Sequence, residues 1–592
     1  MAENIAKGGE YLIAETACAD VFTPEDFTDE QRSMAETTEQ FVINEIMPHQ
    51  DEIEHQNFGI VVEKMQKCGE LGLLMMDAPE EYGGLELDKA STMLVAEKIS
   101  YAGSFSVAFS AHTGIGTLPL IYYGTKEQKE KYLGRIISGE WCAAYCLTEP
   151  GSGSDALGAQ ATAVLSPDGK HYILNGTKQF ITNGGFANLF TIFAKIDKEH
   201  FTAFLVEKDF PGLVVGAEEK KLGIKGSSTT QIILDNCQVP VENLLGEIGK
   251  GHKIAFNVLN VGRFKLGAGV TGAAKMALGV GIKYANERTQ FKRKISSFGA
   301  IAEKIADLCA DIFASESVVY RLAGLLDRKL ETIEKGIDNY YEEYLKGIEE
   351  YAPECGIAKV FCSEVLAKTV DEVVQIHGGY GFVSDYPAER FYRDERINRI
   401  FEGTNEINRL LIPGMVLRKA MKGELPLQSH AMKAFESLMT PSFEEIDEEV
   451  LFAREKALIK NLKTLFLILS GIGVQKYMDK IADEQEILIA AADMAIQIFA
   501  LESAVLRAEK IYAKATARKQ ELLKAAVKVF AFTATEEVGT AAKKGAFYIE
   551  EGDTLTMVLS GIRRFAKYDA TGLLAAKRTL AKAACEDEKY LF

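Results

Sequence analysis

The stretch from Trp141 to Pro240 constrains this chain most, because its hydrophobic period differs from everything on either side. Residues 171–177, 189–195, 201–207, 213–216 and 229–234 are short runs rich in β-branched and aromatic side chains, separated by Gly, Pro, Asp and Asn. Strands spaced in this way predict a small antiparallel barrel or sandwich. No βαβ alternation accompanies them, which argues against a doubly wound dinucleotide-binding sheet. Before this block, residues 31–44, 60–74 and 90–101 repeat apolar positions at helical spacing. After it, residues 253–287, 300–326 and 356–374 are long, Ala-rich and periodic, as in a helix bundle. The charged, Tyr-rich stretch 331–351 reads as an extra helix with connecting loop.

Proline then disappears. Beyond Pro441 the chain has none, and its Ala, Leu, Lys and Glu content predicts an all-helical module. At 592 residues the chain exceeds what one core serves. The expected architecture is α+β and multidomain. A helical domain spans 1–140, a β-barrel domain 141–245, a helical bundle 246–425 and an all-helical extension 426–592. No stretch reaches the roughly 18 uninterrupted apolar residues of a membrane-spanning helix. A net charge of −18 disfavours nucleic acid as a partner. Nine scattered cysteines without a second zinc-spaced pair point to a reducing compartment and no metal site. Residues 1–10 show no basic and apolar leader pattern, so a cytoplasmic location is expected.

Four segments carry candidate chemistry. In Tyr145-Cys146-Leu147-Thr148-Glu149-Pro150-Gly151-Ser152-Gly153-Ser154, a hydroxyl- and Gly-rich turn frees backbone N–H groups for a phosphate or ring carbonyl. Taken alone it is an ordinary surface turn. Phe180-Ile181-Thr182 closes a strand and places an aromatic and a hydroxyl on one face; a plain hairpin end does the same. Gln375-Ile376-His377-Gly378-Gly379 follows a helix, where glycine caps are common and His377 fits a satisfied helix-end histidine. Glu402 lies beside Ile400 and Phe401, before Gly403 and a helix start at Thr404-Asn405, and partial desolvation there would raise its pKa towards that of a general base. Glu406 falls in the first helical turn, where acids are common for dipole reasons.

In their order these segments resemble the acyl-CoA dehydrogenases, flavoenzymes of fatty-acid β-oxidation. Tyr145–Ser154 resembles the signature YCxTEPGxGS and Phe180-Ile181-Thr182 the flavin-contact W/F-I-T. Arg288-Thr289-Gln290-Phe291 resembles R-x-x-F, residues 375–379 Q-x-x-GG, and Phe401-Glu402-Gly403-Thr404 the F/Y-E-G-T around the base. The likeness covers about residues 30–420, and the long extension is similar to that of the very-long-chain branch. Lys292 stands where the family usually has glycine.

The resemblance implies FAD as cofactor, a fatty acyl-CoA as substrate, and an electron-transfer flavoprotein as acceptor. It implies Glu402 as catalytic base, because the family's alternative base position is a glycine here, Gly262. Tyr145, Leu147, Thr148, Gly153, Ser154, Phe180, Thr182, Arg288, Phe291, Gln375, Ile376, Gly378, Gly379, Thr404 and Asn405 are the implied cofactor contacts. Ser154, Arg263, Gly403, Ser106 and Ser110 are the implied substrate contacts, the small Ser106, Ser110 and Ala111 leaving room for a long chain. At least a homodimer is implied, with Arg288 and Phe291 reaching a neighbour's FAD. An acyl-CoA oxidase would share these motifs. A degenerate scaffold is disfavoured by the retained Glu402. Basic residues between 561 and 584 beside apolar ones allow peripheral contact with an anionic membrane, although a solvated bundle helix is the plainer reading.

Overall fold

The structure, a computed structural model, describes residues 5–439 and 446–592. Pro441, the last proline of the chain, lies outside the described residues. The first long helix, α1 (Asp29–Phe41), starts at a capping box in which Thr28 Oγ1 accepts from Gln31 N and the Gln31 side chain accepts from Thr28 N. Short α2 (Gln50–Glu54), then α3 (Phe58–Glu70), α4 (Lys89–Ile99), α5 (Ser104–Ala111), α6 (Leu118–Tyr123) and α7 (Lys126–Ile137) follow. Phe41, Val61, Met65, Val95 and Phe105 from this group form a core of their own.

The sheet comprises β1 (Ala143–Cys146), β2 (Thr162–Leu165), β3 (His171–Thr182), β4 (Leu189–Ile196), β5 (His200–Glu207), β6 (Leu213–Glu218), β7 (Thr229–Pro240) and β8 (Leu244–Leu245). Its order is β6-β7-β3-β2-β4-β5-β8, with β1 added on β4. All five expected strands are present, but the sheet is an open path and not a closed barrel. It is also not wholly antiparallel, because β4 pairs in parallel with both β1 and β2. Those strands were invisible to periodicity, each being only four residues long. Strand β4 is buried on both faces, which is why it reads as a continuous apolar run.

Helices return with α8 (Gly251–Glu287), a small hairpin of β9 (Thr289–Gln290) and β10 (Arg293–Lys294), α9 (Gly299–Glu331) and α10 (Tyr340–Glu349). Then come α11 (Ala352–His377), α12 (Pro387–Glu395) and α13 (Asn405–Met421). The extension is helical throughout its described residues: α14 (Leu427–Met439), α15 (Ala453–Tyr477), α16 (Gln485–Tyr512), α17 (Ala517–Ile549), α18 (Gly552–Phe565) and α19 (Leu573–Asp587). By length and composition alone, the segments Ala453–Asp483 and Gln485–Tyr512 could cross a membrane, yet most of each apolar window is packed inside the fold.

The extension is not an appendage. One core runs from Phe264 and Phe313 in the bundle to Phe530 and Leu580 in the extension. The basic 561–584 stretch is not one surface helix either: it breaks between α18 and α19, Arg564 donates to Ser437 O, and Lys577 pairs with Glu303 and Asp307 on α9. Arg507 of α16, 1% exposed in its side chain, pairs with Glu316 of α9 at 2.6 Å and with Glu25 at 2.8 Å. Lys275 of α8 bridges Glu316 to Glu97 of α4, and Tyr590 Oη also donates to Glu316. Breaking a buried ion pair from one side strands the remaining charge. Arg507→Met should therefore destabilise the protein by about 3–5 kcal/mol, measured by denaturant unfolding; a loss below about 1 kcal/mol would show that the network carries little.

Candidate active site

A cavity of about 200 Å³ lies where α5, the end of β3, α8 and the turn before α13 converge. Ser106, Ser110 and Ala111 line it from α5, Thr182 from β3, Gly262 from α8, and Phe401 and Glu402 from the turn. Of the four segments singled out in the sequence, the 180–182 strand end and the Glu402 turn meet here, together with α5 and Gly262, whereas 145–154 and 375–379 do not line this cavity. Of the two apolar neighbours in sequence, Ile400 is 48% exposed, while Phe401 lines the cavity beside Glu402.

The turn is strained by design. Glu402 and Gly403 both have positive φ, 58° and 79°, which is costly for a non-glycine residue. Thr404 caps α13 by accepting from Ile407 N, and Asn408 Nδ2 donates to Gly403 O at 2.8 Å and Thr404 O at 3.0 Å. The left-handed turn aims the carboxylate at α8. There a Cβ on Gly262 would lie 2.5 Å from Glu402 Oε2, so any side chain at 262 would occupy the carboxylate's own place. Glu402 as a whole is half-buried, yet Oε2 is sealed from solvent and has no hydrogen-bond partner among the described residues. Burial lifts its pKa to about 7, while Arg263 and Lys359 pull the other way. An unpartnered carboxylate titrating near neutrality is suited to take a proton from a bound molecule.

Two cations stand behind it. Arg263 is buried, with Nη1 on Asn260 Oδ1 at 2.8 Å and Nε on the Glu402 carbonyl at 3.4 Å. It is therefore buried against the Glu402 turn and is not a helix-surface residue. Lys359 of α11 is fully buried and donates to Asn405 Oδ1 at 2.6 Å; desolvation lowers its pKa to about 7 against the pull of Glu402. No motif marks Lys359; its signal in the sequence is a cation set among apolar residues, Ile357-Ala358-Lys359-Val360-Phe361.

The other acids considered are otherwise engaged. Glu149 is paired with Lys178 at 2.6 Å and accepts from the N–H groups of Gln160 and Ala161. Burial raises its pKa, but Lys178 outweighs this and holds it low. Glu406 is exposed, and its own helix-start N–H holds its carboxyl low.

The 145–154 segment is tied to the 180–182 strand end. Gln179 N donates to Thr148 O at 2.9 Å, and Lys178 reaches Leu147 O and Glu149. A register shift between Lys178 and Ile181 gives Phe180 a φ of 59° and leaves it 62% exposed, while Ile181 is buried between it and Thr182. Gly153 and Ser154 are exposed. Three side chains expected to meet a cofactor are used by the interior instead, leaving only their backbones available. Tyr145 packs edge-on against Phe193, Ile376 is buried, and Asn405 bonds Lys359, Ser363 and Glu364.

A second cluster joins the end of α8 to the end of α11. Arg288 stands over the Tyr380 ring, Tyr284 stacks on His377, and Gln375 is exposed. His377 is the satisfied helix-end histidine expected, bonded to Val373 O. Gly378 has φ of 60°, and among the described residues nothing lies within 4 Å of where a Cβ on it or on Gly379 would stand. Phe291 is 89% exposed at the hairpin tip.

Profiles for the acyl-CoA dehydrogenase N-terminal domain match residues 28–140, the middle domain 144–237, and the C-terminal domain 249–416, with a further C-terminal profile at 461–564. A "Probable acyl-CoA dehydrogenase" of Bacillus subtilis is 49% identical over 100% of this chain and 99% of its own. A mouse "Very long-chain specific acyl-CoA dehydrogenase, mitochondrial" is 42% identical over 59% of this chain and 52% of its own. The crystal structure of "Acyl-CoA Dehydrogenase complexed with FAD from Bacillus anthracis" is similar with a TM-score of 0.96, 49% identity, and coverage of 99% of this chain and 100% of that one.

Removing Lys359 removes a cation that favours ionised Glu402. Lys359→Met should move the ionisation of Glu402 to higher pH, most strongly at and below neutrality where Lys359 carries charge, and the protonated-carboxyl band in infrared difference spectra would report it. An unchanged midpoint would mean that Arg263 alone sets the local field.

Proposed function

Because the chain belongs to the acyl-CoA dehydrogenase family, we propose that it oxidises a long-chain fatty acyl-CoA to the trans-2-enoyl-CoA, with Glu402 as the base. The observation that carries this reading is the sealed, unpartnered Oε2 of Glu402 facing Gly262 at the cavity. FAD fits the residues present. Phe180 stands out from the sheet beside the Thr148 and Thr182 hydroxyls, the Ser154 turn offers free donors, and the open glycines 378 and 379 permit close backbone approach. When bound, FAD supplies the acceptor for the hydride that leaves the β-carbon.

The residues of this chain handle the proton. The α-proton of a thioester is weakly acidic in water, so its removal needs a dry base and a polarised carbonyl. Glu402 takes that proton as the α,β double bond forms, and Arg263 and Lys359 restrain the rise in its pKa so that a usable ionised fraction survives burial. Glu402→Gln keeps the shape and removes the acceptor. It should bind FAD and acyl-CoA normally, yet slow flavin bleaching under anaerobic acyl-CoA by at least a thousandfold. Bleaching at the wild-type rate would end the assignment. Because a side chain at 262 competes for the carboxylate's space, the double variant Glu402→Gly with Gly262→Glu should recover part of the rate.

The proposed preference for a long chain rests on the small Ser106, Ser110 and Ala111, which line the cavity from α5. Ser110→Leu should depress turnover of C16 acyl-CoA several-fold more than C8; equal losses would mean that α5 only packs. The electrons are proposed to leave to an electron-transfer flavoprotein, in the cytoplasm. The exposed Arg288, Phe291, Gln375 and Gly378 cluster is proposed to serve the FAD of a second copy, Arg through phosphate hydrogen bonds and Phe by stacking. Arg288→Ala should lower FAD occupancy in a folded dimer, whereas full flavin retention in a monomer would refute the arrangement.

A further inference from the structure

A second cavity, larger than the one at Glu402, lies elsewhere in the molecule. It measures about 780 Å³ and lies in the extension, between the end of α13, α14, α15, α16 and α17. Protein interiors rarely leave voids much larger than a water molecule, whereas ligand pockets run to roughly 300–1,000 Å³. Its floor is formed by buried Ile468, Met494 and Ile549. Its mouth reaches the surface at Met421 and Met432, which are 82% and 62% exposed. The roof is α14, thirteen residues of which Ala434 alone is buried. The apolar Leu427, Ala431 and Phe435 of that helix line the cavity.

We propose that this cavity binds a single long hydrocarbon chain carrying an uncharged head group, at a site separate from the one at Glu402. Three features select that chemistry. The lining is aliphatic, aromatic and thioether, with Gln428, Ser470, Gln475 and Glu436 as its polar or charged side chains. Water held there would lack the two to four partners it needs, and an inserted peptide would leave its backbone N–H and C=O groups unpaired. Flexible methionines at the mouth and floor adapt to a chain without fixed shape. Glu436 is the one charged lining side chain, so a carboxylate or phosphate head gains no cation there and meets an anion. The chain can come from a monomeric lipid or from a bilayer; the contact chemistry is the same.

Titration calorimetry of the FAD-loaded full chain with 1-octanol, 1-decanol and 1-dodecanol tests the site. Affinity should tighten about fourfold per added methylene, the ratio that about 0.8 kcal/mol gives. Dodecanoate should bind at least tenfold more weakly than 1-dodecanol. Ala491→Phe, which fills the cavity, should abolish binding. Met432→Asp, on an exposed position that puts folding at little risk, should weaken it at least tenfold. Ser110→Leu, in the other cavity, should leave it unchanged. Sedimentation with phosphatidylcholine vesicles separates the sources: alkanol binding without vesicle recovery assigns a monomeric ligand, and both together assign a bilayer chain. The proposal is overturned if no saturable alkanol binding occurs, with or without vesicle recovery. Binding that survives both cavity variants, or that disappears in Ser110→Leu, overturns it equally.

Discussion

The buried guanidinium of Arg507 is the interaction on which the arrangement of helices depends. It cannot be hydrated where it lies, so carboxylates must come to it, and they come from two different parts of the chain: Glu316 from α9 and Glu25 from the segment before α1. Glu316 in turn holds Lys275 of α8, and Lys275 holds Glu97 of α4, to which Tyr320 also donates. A chain of alternating charges thus crosses from the extension through the bundle to the N-terminal helices. Each member is tolerable inside only because its neighbours are in place. This is a constraint on geometry more than a source of net stability, since desolvation of so many charges offsets most of their attraction.

The same economy of charge governs the site. Glu402 is held by backbone geometry and not by a hydrogen bond to its Oε2: the left-handed turn, the Thr404 cap and Asn408 fix where the carboxylate points. Arg263 and Lys359 act at one remove, through the Glu402 carbonyl and through Asn405. Had either cation bonded the carboxylate directly, as Lys178 does Glu149, the pKa would fall and the group would cease to be a base at neutral pH. The difference between Glu402 and Glu149 is therefore one of contact and not of residue type.

Much of the fold was legible because periodicity reports burial directly. The long helices α8, α9 and α11, the five longer strands and the all-helical tail were all evident from spacing, proline and glycine. What failed did so for identifiable reasons. Strands β1 and β2 are too short to show a period, and their parallel pairing with β4 depends on how the intervening chain crosses over. The basic stretch 561–584 reads as a solvated bundle helix or as a membrane-facing one, and charge pattern cannot say that Lys577 faces Glu303 and Asp307 on another helix. For the site, Glu402 and Thr182 are legible as motif positions and Ser106 and Ser110 as small residues on one helix face, and the four converge. Tyr145 and Asn405 were motif positions too, yet their side chains belong to the interior.

The sequence by itself determined which of the longer segments are helix and which are strand, that one carboxylate precedes a helix start beside a Gly-Thr pair, and that glycine stands at position 262. These are local properties, fixed by side-chain type, spacing and backbone freedom. Only the tertiary structure decided that Gly262 and Glu402, 140 positions apart in the chain, occupy the same few ångströms. It also decided that Lys359 lies behind them and that the extension shares its core with the bundle. Burial, and with it the pKa of a buried acid, is a property of everything packed around a group, and no single stretch of chain contains that information.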